Sequence, residues 1–233
     1  MLAFSSLLGN VEGQNIYRIW YDKPASYWEE ALPVGNGRIA AMVFGDPQLE
    51  QIQLNEETVS AGSPYQNYNE EAKTALPEMR RLIFEGKYEE AQNMAATKIL
   101  SQVGNEMPYQ TVGRLNIRYQ DHKKVNNYYR DLDISNAVAV TRYEVDGVEF
   151  TEETFASFTD QLVIRHIKAS KPGTINCELF FNTPMRDPKR SIYGKKGLRL
   201  EGITHGSRYF PGKVHYCADL DVKHKGGKVI TAN

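Results

Sequence analysis

Cysteine is scarce in this chain of 233 residues: there are two, Cys177 and Cys217, and neither sits in a Cys-x-x-Cys or Cys/His pattern. That spacing gives no support for a zinc site. Both lie in apolar, strand-like runs, so two buried free thiols are expected, with a disulfide as the alternative if the protein is exported. No stretch approaches the roughly 18 apolar residues that a membrane-spanning helix needs. An excess of charge is missing too, with 28 Lys and Arg against 29 Asp and Glu and a net charge of -1. The overall charge therefore does not point to a nucleic-acid partner. Gly-x-Ser-x-Gly and His-Glu-x-x-His motifs are absent, which leaves nucleophile-elbow and zinc-protease chemistry without a motif. No metal and no cofactor is expected.

The remaining composition is that of a globular chain, 41% hydrophobic and 24% charged. Tyrosine is abundant at 14, which suits strands and also surfaces that stack on sugar rings. Tyr109, Tyr128, Tyr129, Trp20 and Trp28 are candidates for such a platform, although aromatics at alternating strand positions more commonly fill a core. The start, Met1 through Gln14, has an apolar run followed by small and polar residues. Residues 1–14 thus read as a possible remnant of an export leader, without its basic first part. On that reading the protein is periplasmic or extracellular.

Alternating patterns predict strands at 15–21, 38–44, 48–54 and 115–119. Further strands are predicted at 137–145, 148–158, 161–168, 174–181, 197–204 and 213–223. Asp146-Gly147 is a strong two-residue hairpin signal of the type I′ kind, whereas Asn126-Asn127 reads as a loop. Between about 69 and 102 the period becomes helical, with Pro77 marking a kink or fresh start and Gly86 a C-cap between two helices. A new strand is expected to begin near residue 228. The fold class is mainly β: a large antiparallel sandwich with a short helical insertion. It occupies residues 15–233 and reads as incomplete at its C-terminal end.

The most specific signal is a Gly35-Asn36-Gly37 turn leading into Ile39-Ala40-Ala41-Met42-Val43-Phe44-Gly45, followed by Ile52-Gln53-Leu54-Asn55-Glu56-Glu57-Thr58. Together with Tyr109-Gln110-Thr111-Val112-Gly113-Arg114-Leu115, Tyr129-Arg130-Asp131-Leu132-Asp133-Ile134 and Asp160-Gln161-Leu162-Val163-Ile164, these runs resemble the N-terminal domain of glycoside hydrolase family 95. That family includes α-L-fucosidases and some L-galactosidases. The chain departs from the family pattern at Ser60, where a Trp is usual, at Arg114, where an acidic residue is common, and at Ala40, often Gly.

The resemblance implies a β-supersandwich followed by an (α/α)6 barrel that performs inverting hydrolysis. None of the barrel's motifs matches a position here, so no residue of this chain is expected to be catalytic. Its partners would be that missing barrel and a fucosylated or related glycan. Asn55, Glu56 and Thr58 would form a rim to the pocket. By their own chemistry these residues also suit a tight loop held by side-chain to backbone hydrogen bonds. A stand-alone carbohydrate-binding sandwich and a truncated, non-functional gene product stay open as alternatives.

Overall fold

A computed structural model describes residues 17–62, 66–101, 107–207 and 211–232. The leader read at residues 1–14 lies outside them. The chain divides into two compact units. The first comprises Met1–Glu57, Val112–Thr183 and Val222–Ile230. It holds two five-stranded sheets in which every pairing is antiparallel. One sheet has the order β1 (Arg18–Tyr21), β6 (Val125–Asp133), β7 (Val138–Val145), β8 (Val148–Ala156), β9 (Val163–Ala169). The other has the order β10 (Cys177–Asn182), β5 (Gly113–Tyr119), β4 (Leu49–Glu56), β3 (Ile39–Val43), β2 (Leu32–Gly35).

The two-residue period explains why these segments form a sandwich. Ile52 stands opposite both Val43 and Leu115, and Leu115 opposite Phe181, so register places all four on one face. All four are buried. On the other sheet Tyr143 pairs with Phe150, and the two rings stack at 5.3 Å within a buried cluster completed by Val145. Each such side chain contributes about 1.5–3 kcal/mol when fully buried. Asp146 (φ 50°) and Gly147 (φ 76°) join β7 to β8 in the left-handed conformations that a type I′ turn needs. The loop read at Asn126-Asn127 is corrected. β6 runs through it as a bulge, with Asn127 at φ 50° and a register shift between Asn126 and Tyr129.

The second unit comprises Thr58–Thr111, Pro184–Asp221 and Thr231–Asn233. It carries α1 (Ala72–Phe84), α2 (Tyr88–Met94), a π-helical turn over Ala95–Ile99, and a three-stranded antiparallel sheet. That sheet runs β11 (Arg186–Tyr193), β12 (Gly197–Ile203), β13 (His215–Leu220). Gly86 ends α1 at φ 75°, with the Lys87 N–H donating to the Leu82 carbonyl at 2.9 Å and the Gly86 N–H to Ile83 at 3.1 Å. This is the paired C-terminal cap that glycine permits. Pro77 stands inside α1 without ending it. Residues 228–232 form no strand, contrary to the sequence expectation. Both cysteines are free thiols, but only Cys177 is partly buried; Cys217 is exposed.

Candidate functional site

Four of the residues that stand out in the sequence, Asn36, Asn55, Glu56 and Gln161, gather at one end of the sandwich unit. Asn36 lies in the turn between β2 and β3, and its side chain satisfies four groups. Its Oδ1 accepts from the backbone N–H of Arg38 (3.0 Å) and Ile39 (2.9 Å). Its Nδ2 donates to the Ser157 carbonyl (2.8 Å) and to Gln161 Oε1 (3.3 Å). The amide therefore pins the β2–β3 turn to the β8–β9 loop. Gly37 takes φ 93°, a conformation that suits glycine. The β8–β9 loop is braced in turn: Ser157 Oγ donates to Asp160 Oδ2 at 2.8 Å, and Gln161 Nε2 to the Phe158 carbonyl at 2.8 Å. Phe158 itself is left 75% exposed at the tip.

Register brings the end of β4 beside this turn, with Ala40 opposite Asn55 and Ile39 opposite Glu56. Arg38 Nε donates to Glu56 Oε1 at 3.2 Å, and the Glu57 N–H to the Arg38 carbonyl at 2.9 Å. Asn55 Oδ1 is buried and accepts no hydrogen bond among the described residues. An orphaned amide oxygen of this kind costs free energy unless another group meets it. The structure thus brings Asn55 and Glu56 together with the Gly35-Asn36-Gly37 turn. Thr58 belongs to the second unit, where its carbonyl accepts the Ser60 N–H at 2.9 Å. There Ser60 pairs across an antiparallel bridge with Tyr109, which is 54% exposed. Gln110 docks on the His205 backbone through both its amide atoms, at 2.8 Å each.

Two charged clusters in the sandwich interior were not anticipated. Glu50, Glu152 and Arg165 point inward from β4, β8 and β9. Arg165 Nη2 meets Glu50 Oε2 at 2.7 Å and also Glu152. Tyr119 and Tyr143 donate their hydroxyls to Glu152 Oε1 at 2.8 and 2.6 Å. Glu50 Oε1 accepts the N–H of Phe44 (3.2 Å) and Gly45 (2.8 Å) and so fixes the β3–β4 turn. Burial, reinforced by Glu152, pushes the Glu50 carboxyl up to about 7, while Arg165 opposes the shift. His122 lies between Tyr119 and Phe150, with ring centroids at 4.2 and 4.4 Å. Burial holds its pKa below the ordinary value.

Arg130, fully buried, makes the second cluster: its guanidinium lies 4.0 Å from the Tyr21 ring centroid and donates to the carbonyls of Lys23 and Glu30, at 2.7 Å each. The available signal was phase: Glu50 shares a strand face with Ile52 and Leu54, and Arg165 with Val163 and Ile167. These groups are sealed from solvent, which suits bracing rather than catalysis. Among the described residues, no cluster of His, Cys, Asp and Glu could hold a metal ion.

Residues 19–233 match the family described as glycosyl hydrolase family 65, N-terminal domain. The chain belongs to that family. This glycosyl hydrolase N-terminal domain is also similar to three curated proteins. It is 37% identical over 181 residues to "Alpha-L-fucosidase 2" of Arabidopsis thaliana, covering 75% of this chain and 21% of that protein. It is 26% identical over 162 residues to "Probable alpha-fucosidase A" of Aspergillus niger, covering 65% and 20%. A protein of the same name from Aspergillus oryzae is 25% identical over 211 residues, covering 85% and 28%. The domain thus spans 20–28% of the length of the relatives it matches.

For this domain, the motif residues resolve into distinct jobs. Asn36 and Gln161 are consumed by internal hydrogen bonds, Arg130 spends Nε and Nη1 on carbonyls and leaves Nη2 without a partner among the described residues, and Asn55 keeps an unmet acceptor. The expectation that the aromatic candidates fill the core is corrected for Trp20 (61% exposed), Trp28 (47%) and Tyr109. Tyr128 is partly buried and donates its hydroxyl to the Gly45 carbonyl at 2.6 Å.

Proposed function

We propose that this chain is the N-terminal β-sandwich portion of a family 95 glycoside hydrolase, which removes terminal α-L-fucose or a related sugar from exported or extracellular glycans. The observation that carries the reading is the 37% identity to a protein named as an α-L-fucosidase, confined to a fifth of that protein's length. The chemistry belongs to an (α/α)6 barrel. Inversion needs an acid and a base about 6.5–9.5 Å apart with a water between them. The sandwich braces that barrel, and Asn55, Glu56 and Thr58 form part of its rim. Asn55 is the sharpest of the three, because its orphaned Oδ1 is ready to accept a hydrogen bond from the barrel or from a sugar hydroxyl.

A fluorogenic α-L-fucoside tests this. The purified chain should give no turnover, and co-expression with the remaining four-fifths of Alpha-L-fucosidase 2 should restore it. In that assembly Asn55→Ala should lower kcat/KM about fivefold, the worth of one hydrogen bond of about 1 kcal/mol. Turnover by the chain alone, or none on reconstitution, overturns the proposal.

A further inference from the structure

Away from the Asn36–Glu56 end, the sandwich unit carries a cleft of about 310 Å³ between the segment after β1 and the β3–β4 turn. That volume lies at the lower end of the range for small-ligand sites. Tyr27 (58% exposed) and Trp28 (47%) supply aromatic surface, the buried Phe44 backs the cleft, and Asp46, Gln51 and Arg114 supply polar groups. We propose that this cleft binds one neutral pyranosyl residue of a glycan.

Both walls are held by buried charge. Arg130 grips the carbonyls of Lys23 and Glu30 on either side of the Tyr27-Trp28 pair. The Ala25 N–H ties the same segment to the Phe44 carbonyl at 2.9 Å. On the opposite wall Glu50 holds the N–H groups of Phe44 and Gly45. Gly45 is required there: at φ 77° an added Cβ would lie 2.7 Å from the Tyr128 hydroxyl. A site with fixed walls loses little freedom on binding. Large aromatic side chains left in water on such walls are a surface suited to a ligand.

The lining selects the ligand's chemistry. A pyranose has one apolar C–H face for an aromatic ring and a rim of hydroxyls that both donate and accept. Arg114 Nη1 donates to Gln51 Oε1 at 2.8 Å, and its guanidinium lies 5.4 Å from the Phe44 ring centroid. Among the described residues its other N–H groups have no hydrogen-bond partner and face no carboxylate ion pair. Asp46 Oδ1 accepts from the N–H groups of Gln48 (2.8 Å) and Leu49 (3.1 Å), leaving Oδ2 as an acceptor. One cation beside one carboxylate gives no net charge, so an anionic ligand meets repulsion as well as attraction. A lipid chain would strand the polar floor. The proposal rests on the glycosidase reading for its substrate class.

Saturation-transfer NMR on the full chain tests it, with methyl α-L-fucopyranoside and methyl β-D-galactopyranoside as neutral probes and galacturonate as the acidic one. Saturation should reach the ring C–H protons of a neutral probe, with millimolar affinity. Trp28→Ala should weaken binding about tenfold or more, as loss of a central aromatic anchor does. Gln51→Ala is the second variant, and it should weaken binding at unchanged melting temperature. Trp20→Ala, on the outer face of the other sheet, should change nothing. No transfer to a neutral sugar, binding of galacturonate alone, or sensitivity to Trp20 rather than Trp28 overturns the proposal. Sugar hydrolysis by the reconstituted enzyme without binding to the chain overturns the cleft alone. Binding without hydrolysis on reconstitution leaves the cleft and overturns the glycosidase reading.

Discussion

Glu50 shares one guanidinium with Glu152 in a dry interior, and its pKa of about 7 follows from burial. An unfolded chain would ionise this carboxyl near the ordinary glutamate value of 4.5. Between those values the folded state holds a proton that the unfolded state has released, so stability falls as pH rises. The contribution is fully present below 4.5 and gone above about 7. His122 works in the other direction, since its lowered pKa makes stability fall as pH drops below 6.5. The readout is therefore the difference between two proteins. Melting temperature followed from pH 4.5 to 7.5 should decline more steeply in the wild type than in Glu50→Gln. Parallel curves would show that Glu50 does not titrate in this range. Arg165→Met leaves two carboxylates buried without their cation and should cost about 3–5 kcal/mol in chemical denaturation. A loss below about 1 kcal/mol would place the cluster in water, contrary to the geometry.

At the scale of elements, legibility followed the number of buried faces. Strands with one buried face, such as β7 and β8 around Asp146-Gly147, announce themselves by alternation and by their turn. β11 did not, because every residue of it is exposed and the run Arg-Asp-Pro-Lys-Arg has no apolar period. It is an edge strand, bulged between Arg186 and Lys189 and carrying Pro188, features that discourage pairing with another chain. β2, with Pro33, was hidden by its short span at the other sheet's edge. The end of the sandwich with Asn55 and Glu56 was legible from motif residues. The cleft at Trp28 was not, since its walls meet only through tertiary bonds from Arg130 and Glu50.

The helices were legible as periodicity but not as burial: only Ala75, Leu82 and Ala91 are buried, while Phe84 and Tyr88 are exposed. Pro77 lacks the N–H that would bond the Lys73 carbonyl within α1. Pro77→Ala should accordingly stabilise the helical segment by about 1–3 kcal/mol. Hydrogen exchange across α1 checks this, and unchanged or faster exchange would show that the proline is already accommodated.

For the whole molecule, the two thiols provide independent reporters, one in each unit. Cys177 begins β10, an edge strand, and register places it opposite Tyr119 on the inner face. Burial, followed by the Glu152 charge, raises its pKa. Cys217, on the exposed edge strand β13, is raised by partial burial and then by Asp219, whose Oδ1 accepts from Sγ at 3.5 Å. Both should react with a disulfide reagent more slowly than a small free thiol, because the thiolate is the nucleophile. Accessibility then separates them. Cys217 needs only a side-chain movement, whereas Cys177 needs β10 to lift from Tyr119, and an opening that costs about 1.4 kcal/mol slows reaction about tenfold. Native protein should therefore show one faster and one slower thiol, assigned by Cys217→Ser, and unfolded unreduced protein should show two. A mild rise in denaturant should quicken the slow phase before global unfolding, if the sheet edge opens locally. Fewer than two thiols in the unfolded protein would mean that the cysteines are paired, and equal native rates would mean that β10 does not shield Cys177.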